Sequence, residues 1–244
     1  MRNFPLKTLI AALAAVIIAA VLASGYNYKF KAKNTLPVTG SAEYNFEADL
    51  IVWTGSYMRS SMDLKEAYAM LKQDETRVRE YLRSKGISDK EVVFSSITIS
   101  RQYNEIYDER GNRVSSTFSG FQLSQRVRVE SAEIEKVEVI SREVTGLLEA
   151  GVELNSDEPQ YYYTKLKDVK IKLLQEAGED ARRRAETIAK AGHSSLGDLR
   201  KASMGVFQIT GRNSNEDFTY GGAFNTASKS KTATVTVRYE YALK

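Results

Sequence analysis

The chain has 244 residues, 42% of them hydrophobic, which is enough to bury a substantial core in one compact body. Its formal net charge of +4 falls nearer to zero when Arg2 and Lys7 of the N-terminal segment are set aside, so the remainder is not a general polyanion binder. The absence of cysteine excludes disulfides, thiol catalysis, thiolate metal sites and a lipoprotein anchor.

The N-terminus has the pattern of an export signal, because Arg2 and Lys7 precede an unbroken apolar run over residues 9–23. In one interpretation Val21-Leu22-Ala23 is a cleavage site and the body is released. In the other, residues 8–26 remain as a membrane-spanning anchor, which needs about 20 residues, with interfacial aromatic side chains at Tyr26, Tyr28 and Phe30. We expect an inner-membrane anchor with a periplasmic body, and both interpretations export the body of the chain.

Residues 1–34 are therefore predicted as a signal or anchor helix with a juxtamembrane linker, and residues 35–244 as the folded domain, with sub-lobes over 35–130 and 131–244. Two strands, over residues 36–46 and 49–59, are predicted to form an opening hairpin. Asp63 can cap the next helix, whose apolar positions keep a period near 3.6 until Gly86.

Long strands over residues 91–107 and 113–130 flank a turn that contains Gly111 and Asn112, which tolerate positive φ. Apolar and polar residues alternate in the second strand, as expected for a sheet with one solvated face. The rest is predicted as a helix, a strand, a long helix and two strands, over residues 132–149, 152–164, 168–192, 199–210 and 232–241. The fold class is thus α+β: mostly antiparallel sheet with three long helices packed on it, preceded by an N-terminal hydrophobic helix.

The helix over residues 168–192 carries alanines where a core face is expected. They recur at the spacing that stacks side chains along one helical stripe and form a packing ridge of Ala177, Ala181, Ala185 and Ala189. An alanine ridge lets a partner backbone approach closely. Gly178 costs about 1 kcal/mol relative to alanine in a helix interior, so it indicates either a tight contact or a tolerated exposed position. Gly192 is expected to end the helix in the left-handed conformation.

Residues 211–228 form a segment that is too long for a tight hairpin and nearly free of aliphatic residues. Its aromatic residues, Phe218, Tyr220 and Phe224, are predicted interface residues, since aromatic side chains on a polar loop favour contact. Tyr161 and Tyr163 share one face of a strand and are further candidates, for the core or for a subunit contact.

The remaining candidate sites have better structural interpretations. His193 is the only histidine and follows a helix-ending glycine, which favours an exposed turn over a catalytic triad. The pairs Asp157-Glu158 and Glu216-Asp217 lack the spacing of a calcium loop. Gly221-Gly222 precedes no helix with a Lys-Thr pair and is not a phosphate cradle. Arg182-Arg183-Arg184 fans out around its helix among acidic residues, so it predicts a solvated face rather than nucleic-acid binding. We predict no catalytic, cofactor or metal residues.

One helix and its exit turn resemble those of the SIMPL-domain (YggE-like, periplasmic immunogenic protein-like) family of bacterial envelope proteins. The resemblance lies in Asp180-Ala181-Arg182, Arg184-Ala185-Glu186, Ala189, Gly192 and Leu196-Gly197. It extends from Leu36 to the C-terminus through Val38-Thr39-Gly40-Ser41-Ala42, the helix exit at Gly86-Ile87 and the closing strand. The resemblance implies a non-enzymatic envelope protein, in a family with stress-related members and members that form large homo-oligomeric, channel-like rings.

Two hypotheses follow from these patterns. The first is a membrane-anchored, self-associating structural protein that forms homo-oligomers and binds no nucleic acid. The alternative is a periplasmic module that binds a ligand or a protein through residues 211–228. An enzyme would require a concave pocket with a perturbed titratable group.

Overall fold

A computed structural model describes residues 6–31 and 35–244, with side chains over 10–26 and 35–244. The described elements comprise four α-helices, which are α1 (Leu6–Lys31), α2 (Leu64–Ser84), α3 (Ile134–Glu143) and α4 (Leu166–Ala191). The strands are β1 (Thr35–Glu47), β2 (Leu50–Ser61), β3 (Val92–Phe94), β4 (Thr98–Tyr107), β5 (Arg113–Ser131), β6 (Leu154–Ser156), β7 (Gln160–Tyr162), β8 (Leu196–Met204), β9 (Gln208–Gly211) and β10 (Ser230–Leu243). The strands form two antiparallel sheets, which confirms the α+β prediction.

The terminal sheet joins the two ends of the folded part. Its strand order is β1-β10-β8, and β9 pairs with β10 beside β8. β1 and β10 pair along their whole length, from Thr35 opposite Ala242 to Glu47 opposite Ser230. Helix α4 covers one face, because the alternation in β10 turns Ala233, Val235 and Val237 toward it. The other face carries threonines and charged residues.

The central sheet is formed by the middle of the chain. β5 pairs with β2, β3 and β4, and β2 also pairs with β6 and β7. Helices α2 and α3 cover one face and bury a core around Trp53, Tyr57 and Leu71. The Asp63 side chain accepts hydrogen bonds from the backbone N–H groups of Lys65 and Glu66, so the predicted cap of α2 is present.

The predicted opening hairpin is wrong, because β1 and β2 belong to different sheets. At the turn between them, the Ala48 N–H donates to Lys229 O beside β10, and the Asp49 N–H donates to Tyr162 O of β7. The Asp49 carboxylate also accepts from the backbone N–H and the hydroxyl of Thr164, both at 2.7 Å. These contacts direct the chain from one sheet into the other.

Several predicted elements are shorter in the structure. The helix predicted over 132–149 is an α-helix of 10 residues followed by a 3₁₀ turn at Val144–Leu148, so it is not a third long helix of the body. The strand predicted over 152–164 is two short strands separated at Pro159, and the one over 199–210 is interrupted at Gly205. The chain passes from one hydrophobic cluster to the other between Phe46 and Ala48, and back again between Tyr161 and Tyr163.

Helix α1 contains the apolar run for which a membrane span was predicted. Across the described residues, no helix is both long enough and apolar enough to cross a bilayer. The side chains of Tyr28 and Phe30 and the linker at residues 32–34 lie outside the described part of the chain.

Candidate interaction site

A buried glutamine holds the segment over residues 211–228, which we term the aromatic loop. Gln208, at the start of β9, is buried. Its side-chain oxygen accepts from the N–H groups of Thr219 (3.2 Å) and Ala223 (2.6 Å), and its side-chain nitrogen donates to Thr219 O at 2.9 Å. One side chain thus satisfies three backbone groups of a loop without regular secondary structure, and fixes its path.

A second polar cluster ties both ends of the aromatic loop together. Glu216 accepts from the Gly211 N–H at 3.1 Å and from the Asn225 side-chain amide. The Lys231 ammonium donates to Asn225 O at 2.6 Å. Lys231 is buried, and burial lowers its pKa to about 8 although the nearby Glu216 carboxylate acts in the opposite direction. The backbone of the loop is therefore ordered by its own polar contacts.

The aromatic side chains of this ordered loop point into solvent. Phe218 is 64% exposed, Phe224 is 57% exposed and Tyr220 is fully exposed. The backbone around Phe224 is nonetheless fixed, since the Ile209 N–H donates to Ala223 O and the Asn225 N–H donates to Ile209 O, both at 2.8 Å. The fold holds three aromatic rings outward on a constrained backbone, which is the arrangement of a contact surface.

Tyr161 and Tyr163 do not join this surface. The Tyr161 hydroxyl donates to Glu138 Oε1 at 2.9 Å, and burial together with that carboxylate raises the pKa of Tyr161 to about 12. The Tyr163 ring packs against Phe46 with 4.8 Å between ring centroids. Both rings are half-buried and make contacts within the chain, which supports the core interpretation of these tyrosines.

Strand β1 packs against the alanine ridge at very short distance. Ala177, Ala181 and Ala185 are fully buried, and Ala189 is nearly so. A Cβ built on Gly40 would lie 2.3 Å from Ala177 O and 2.4 Å from the Ala181 nitrogen, so only glycine fits there. Gly178 also marks a tight contact, since a Cβ there would lie 2.8 Å from the Tyr239 hydroxyl oxygen.

The Asp180 carboxylate stabilises the same contact between β1 and α4. Asp180 Oδ2 accepts from the Ser41 N–H at 3.0 Å and from Arg184 Nε at 2.7 Å. The hydrogen bond from the Ser41 backbone is the main reason why the pKa of Asp180 is lowered, and Arg184 adds to it. Gly40-Ser41 and Asp180, which are far apart in the sequence, therefore form one structural joint.

The other candidates occupy solvated positions. Arg182 pairs with Glu186 (2.9 Å) and Arg183 pairs with Asp180 (3.4 Å), as expected for a charged helix face. His193 is exposed. Within residues 6–31 and 35–244 there is no group of three or more side chains suited to hold a metal ion. Gly221 and Gly222 belong to the aromatic loop, and Asp157 and Glu158 are exposed.

One detail of the α4 exit differs from the prediction. Gly192 is right-handed, with φ −85°, and His193 takes the left-handed conformation, with φ 56°. The His193 N–H donates to Lys190 O and the Ser194 N–H donates to Ala189 O, which closes a Schellman motif one residue later than expected.

The segments joined around Gly40 and Asp180 are those that carry the sequence motifs, and a comparison with protein families matches them. The model of SIMPL, described as a protein of unknown function (DUF541), matches residues 36–241. The chain belongs to the SIMPL family. The SIMPL match includes both sheets and leaves α1 outside it. No curated protein matches the chain.

Sequence reasoning missed the residues that shape the SIMPL domain around the aromatic loop. Lys231 lies on the core-facing register of β10, two residues before Ala233, so the alternation was a usable signal. The predicted strand began one residue later and left Lys231 out. Gln208 had no comparable signal, because its loop partners are 11 and 15 residues away.

Proposed function

We propose that the protein is a non-enzymatic, self-associating structural protein of the bacterial cell envelope, in which the aromatic loop of one copy contacts another copy. The observation that carries the proposal is the outward projection of Phe218, Tyr220 and Phe224 from a constrained backbone. A rigid aromatic residue loses little conformational entropy when it docks and removes a large apolar area from water. The resemblance to a family with ring-forming members points in the same direction.

The shape of the loop favours a protein contact over a small-molecule site. Ligand pockets are concave and bury most of a ligand's surface. The Tyr220 ring is fully exposed, so it forms no wall of a cavity within its own chain. Val206 is 45% exposed and lies beside Gly222 of the loop, since a Cβ built on Gly222 would be 3.8 Å from the Val206 Cβ. It extends the apolar surface beyond the loop. Such a patch on a polar rim suits a partner surface.

The titratable group beneath the loop has a structural role, which supports a non-enzymatic function. Lys231 is the kind of amine that catalysis uses, since its pKa is lowered to about 8. Its ammonium is buried, however, and it donates to Asn225 O and Asn225 Oδ1. A catalytic group must reach the proton it transfers, and this amine instead holds the loop.

The envelope location rests on the apolar run that follows Arg2 and Lys7. Fractionation of cells that express the full chain tests it. The proposal expects the protein in the periplasmic or membrane fraction, and a cytoplasmic location would contradict it. The N-terminal residue of the fractionated protein, read by intact mass, distinguishes cleavage near Ser24 from retention of the segment.

The decisive experiment for self-association removes the three rings. We would replace Phe218, Tyr220 and Phe224 by serine in the full chain and compare its detergent-extracted mass with the wild-type mass by light scattering. Because Gln208 and Lys231 hold the backbone, the melting temperature should not change while the mass falls. The matched control replaces Ile171 and Ile188, two exposed residues of α4, by serine. That control should leave the mass unchanged.

Two results would contradict the proposal. A lower melting temperature with an unchanged mass would mean that the rings stabilise their own fold. An unchanged mass with an unchanged melting temperature would assign the loop to binding of another ligand or protein, which is the alternative function.

A further inference from the structure

Two strands extend beyond the central sheet as an arm. β2 pairs with β5 only from Phe121 to Ser131, whereas β4 pairs with β5 from Tyr107 opposite Arg113 to Thr98 opposite Ser124. The arm is formed by β4 and residues 113–120 of β5. Its outer part, residues 102–107 with 113–120, is a two-stranded ribbon, and among the described residues β5 is the only strand that pairs with β4. Every residue of β4 except Gln102 is exposed.

The arm is rich in exposed apolar side chains. Its members with a large exposed fraction are Ile99, Tyr103, Ile106, Tyr107, Val114 and Phe118. Within the arm, the Tyr103 and Phe118 rings contact each other edge to face, with 5.8 Å between centroids. An isolated two-stranded ribbon is marginally stable in water, and this much exposed apolar surface marks a site of association.

The outer edge of β4 is open for strand pairing. Both register irregularities of the arm place the extra residue on β5, at Val114 and Ser119, so β4 itself is regular. Among the described residues β4 has no strand partner other than β5. It contains neither proline nor lysine, the residues that commonly block pairing at an edge.

By contrast, the two long edges of the terminal sheet, β1 and β8, are protected against the addition of a strand. β1 contains Pro37, and β8 carries Arg200 and Lys201 together with two register irregularities. Proline, lysine and bulges each oppose the addition of a strand. Of these three long edges, only β4 lacks such protection.

We propose that the β4 edge pairs antiparallel with the β4 edge of a second copy, with Tyr103 on the two-fold axis. This inference rests on the proposed self-association and names one surface that produces it. An interface on a two-fold axis uses the same patch of both subunits, so the patch must be self-complementary. The resulting sheet would have four strands, two from each arm.

Charge favours this register. The charged residues of β4 are Arg101 and Glu105, which lie at equal distances on either side of Tyr103. Centring the pair on Tyr103 sets Arg101 of each copy opposite Glu105 of the other, which is favourable in a cross-strand pair. Centring it on Arg101 or on Glu105 would set like charges opposite each other.

The same register also matches the apolar side chains. Ile99 of one copy falls opposite Tyr107 of the other, on the face that carries Tyr103. Within its own copy Glu105 already accepts from Arg113 Nη1 at 2.9 Å and from the Tyr107 hydroxyl. These two contacts hold the Glu105 carboxylate on that face, where Arg101 of the second copy would meet it.

Oxidative crosslinking of single-cysteine variants tests the register directly, because the chain has no cysteine. Residues opposite each other on antiparallel strands have Cα atoms about 4.5–5.5 Å apart, within the disulfide range of about 4.4–6.8 Å. Tyr103→Cys in the full-length, detergent-extracted protein should therefore form a covalent dimer. Ser100→Cys is the matched control, since its two copies would be about 20 Å apart along the strands, and it should not crosslink.

A charge-exchange experiment is the second test of the β4 pairing. Arg101→Glu and Glu105→Arg should each lose the contact, because each variant faces itself with like charges. An equimolar mixture of the two should regain it, since both cross-strand pairs are then opposite in charge. Each variant carries Tyr103→Cys as well, so that dimer formation is read as crosslinked product. The control is Glu109→Arg, at the turn of the arm, combined with Tyr103→Cys. It should form as much crosslinked product as Tyr103→Cys alone.

The outcomes separate this inference from the proposed function. A wild-type protein with the mass of one chain would overturn both. A larger wild-type mass without a Tyr103→Cys crosslink, or a mixture that does not recover it, would overturn the β4 pairing alone. Melting temperatures should stay unchanged in all variants, because the arm lies outside both cores.

Discussion

Gly40 of β1 lies against Ala177 of α4 so closely that a Cβ on Gly40 would sit 2.3 Å from the Ala177 carbonyl oxygen. The Ser41 N–H next to it donates to Asp180, one turn further along α4. This joint fastens the first strand to a helix more than a hundred residues later. It explains in physical terms why the glycine-serine pair and the aspartate-alanine stripe occur in one chain.

The first prediction concerns Gly40. Gly40→Ala should lower the free energy of unfolding by at least about 1–3 kcal/mol, the usual cost of forcing extra atoms into a packed contact. The clash is with the backbone of α4, which cannot rotate away. Gly146→Ala is the control, since a Cβ there meets no atom within 4 Å. Chemical denaturation of both variants measures the difference, and equal stabilities would show that β1 and α4 are not in close contact.

The alanine ridge gives a second prediction. Ala181→Leu and Ala185→Leu should each lower the melting temperature, because both side chains are fully buried against the terminal sheet. Arg183→Ala should change it little, since the Arg183 side chain is 76% exposed and surface ion pairs contribute little. Thermal unfolding compares the three variants. Equal melting temperatures for all of them would rule out a buried ridge.

Asp180 gives a prediction about pH. Because its pKa is lowered in the folded state, its carboxylate stabilises the fold above the unfolded pKa near 3.8, and this stabilisation is lost as the pH falls through the folded pKa. Asp180→Asn should therefore be less stable than the wild type near neutral pH, with a difference that shrinks in acid. Urea denaturation over this pH range measures it, and a difference independent of pH would contradict the role of the charge.

Lys231 should produce a change in the same direction, with stability rising as the pH rises, but in the alkaline range. Its pKa is lowered from 10.5 to about 8 by burial, so between these values the unfolded chain holds more protons than the folded chain. Raising the pH through this window therefore stabilises the fold. The stability of the wild type relative to Lys231→Met should rise across it. Lys229→Met, at a partly exposed neighbouring lysine, controls for the loss of a charge. A difference in stability between the wild type and Lys231→Met that does not change with pH would contradict the prediction.

Periodic elements could be predicted from the sequence. The period of α4 and the alternation of β10 are repeated over many residues, and each repeat is set by contacts that the same element makes along its length. The turn of the arm at Asp108 was also predicted between two long strands, because the turn chemistry is local. The first of these strands, predicted over residues 91–107, is divided into β3 and β4 in the structure.

Contacts between distant segments could not be predicted. The turn at Ala48 and Asp49 resembles a hairpin turn locally, and only its bonds to Lys229 and Tyr162 direct the chain into another sheet. Asp74 sits on the apolar stripe of α2 because Arg59 of β2 pairs with it at 2.5 Å, a partner that helix periodicity cannot reveal. The aromatic residues of the loop were identified from composition, whereas the order of its backbone depends on Gln208 and Lys231.

The mass of the detergent-extracted full-length protein, measured by light scattering with the detergent contribution subtracted, tests the central claim most directly. Self-association through the aromatic loop predicts a mass that is an integral multiple of one chain and that falls when Phe218, Tyr220 and Phe224 are replaced by serine. A wild-type mass equal to that of a single chain, at concentrations where the fold is intact, would contradict it.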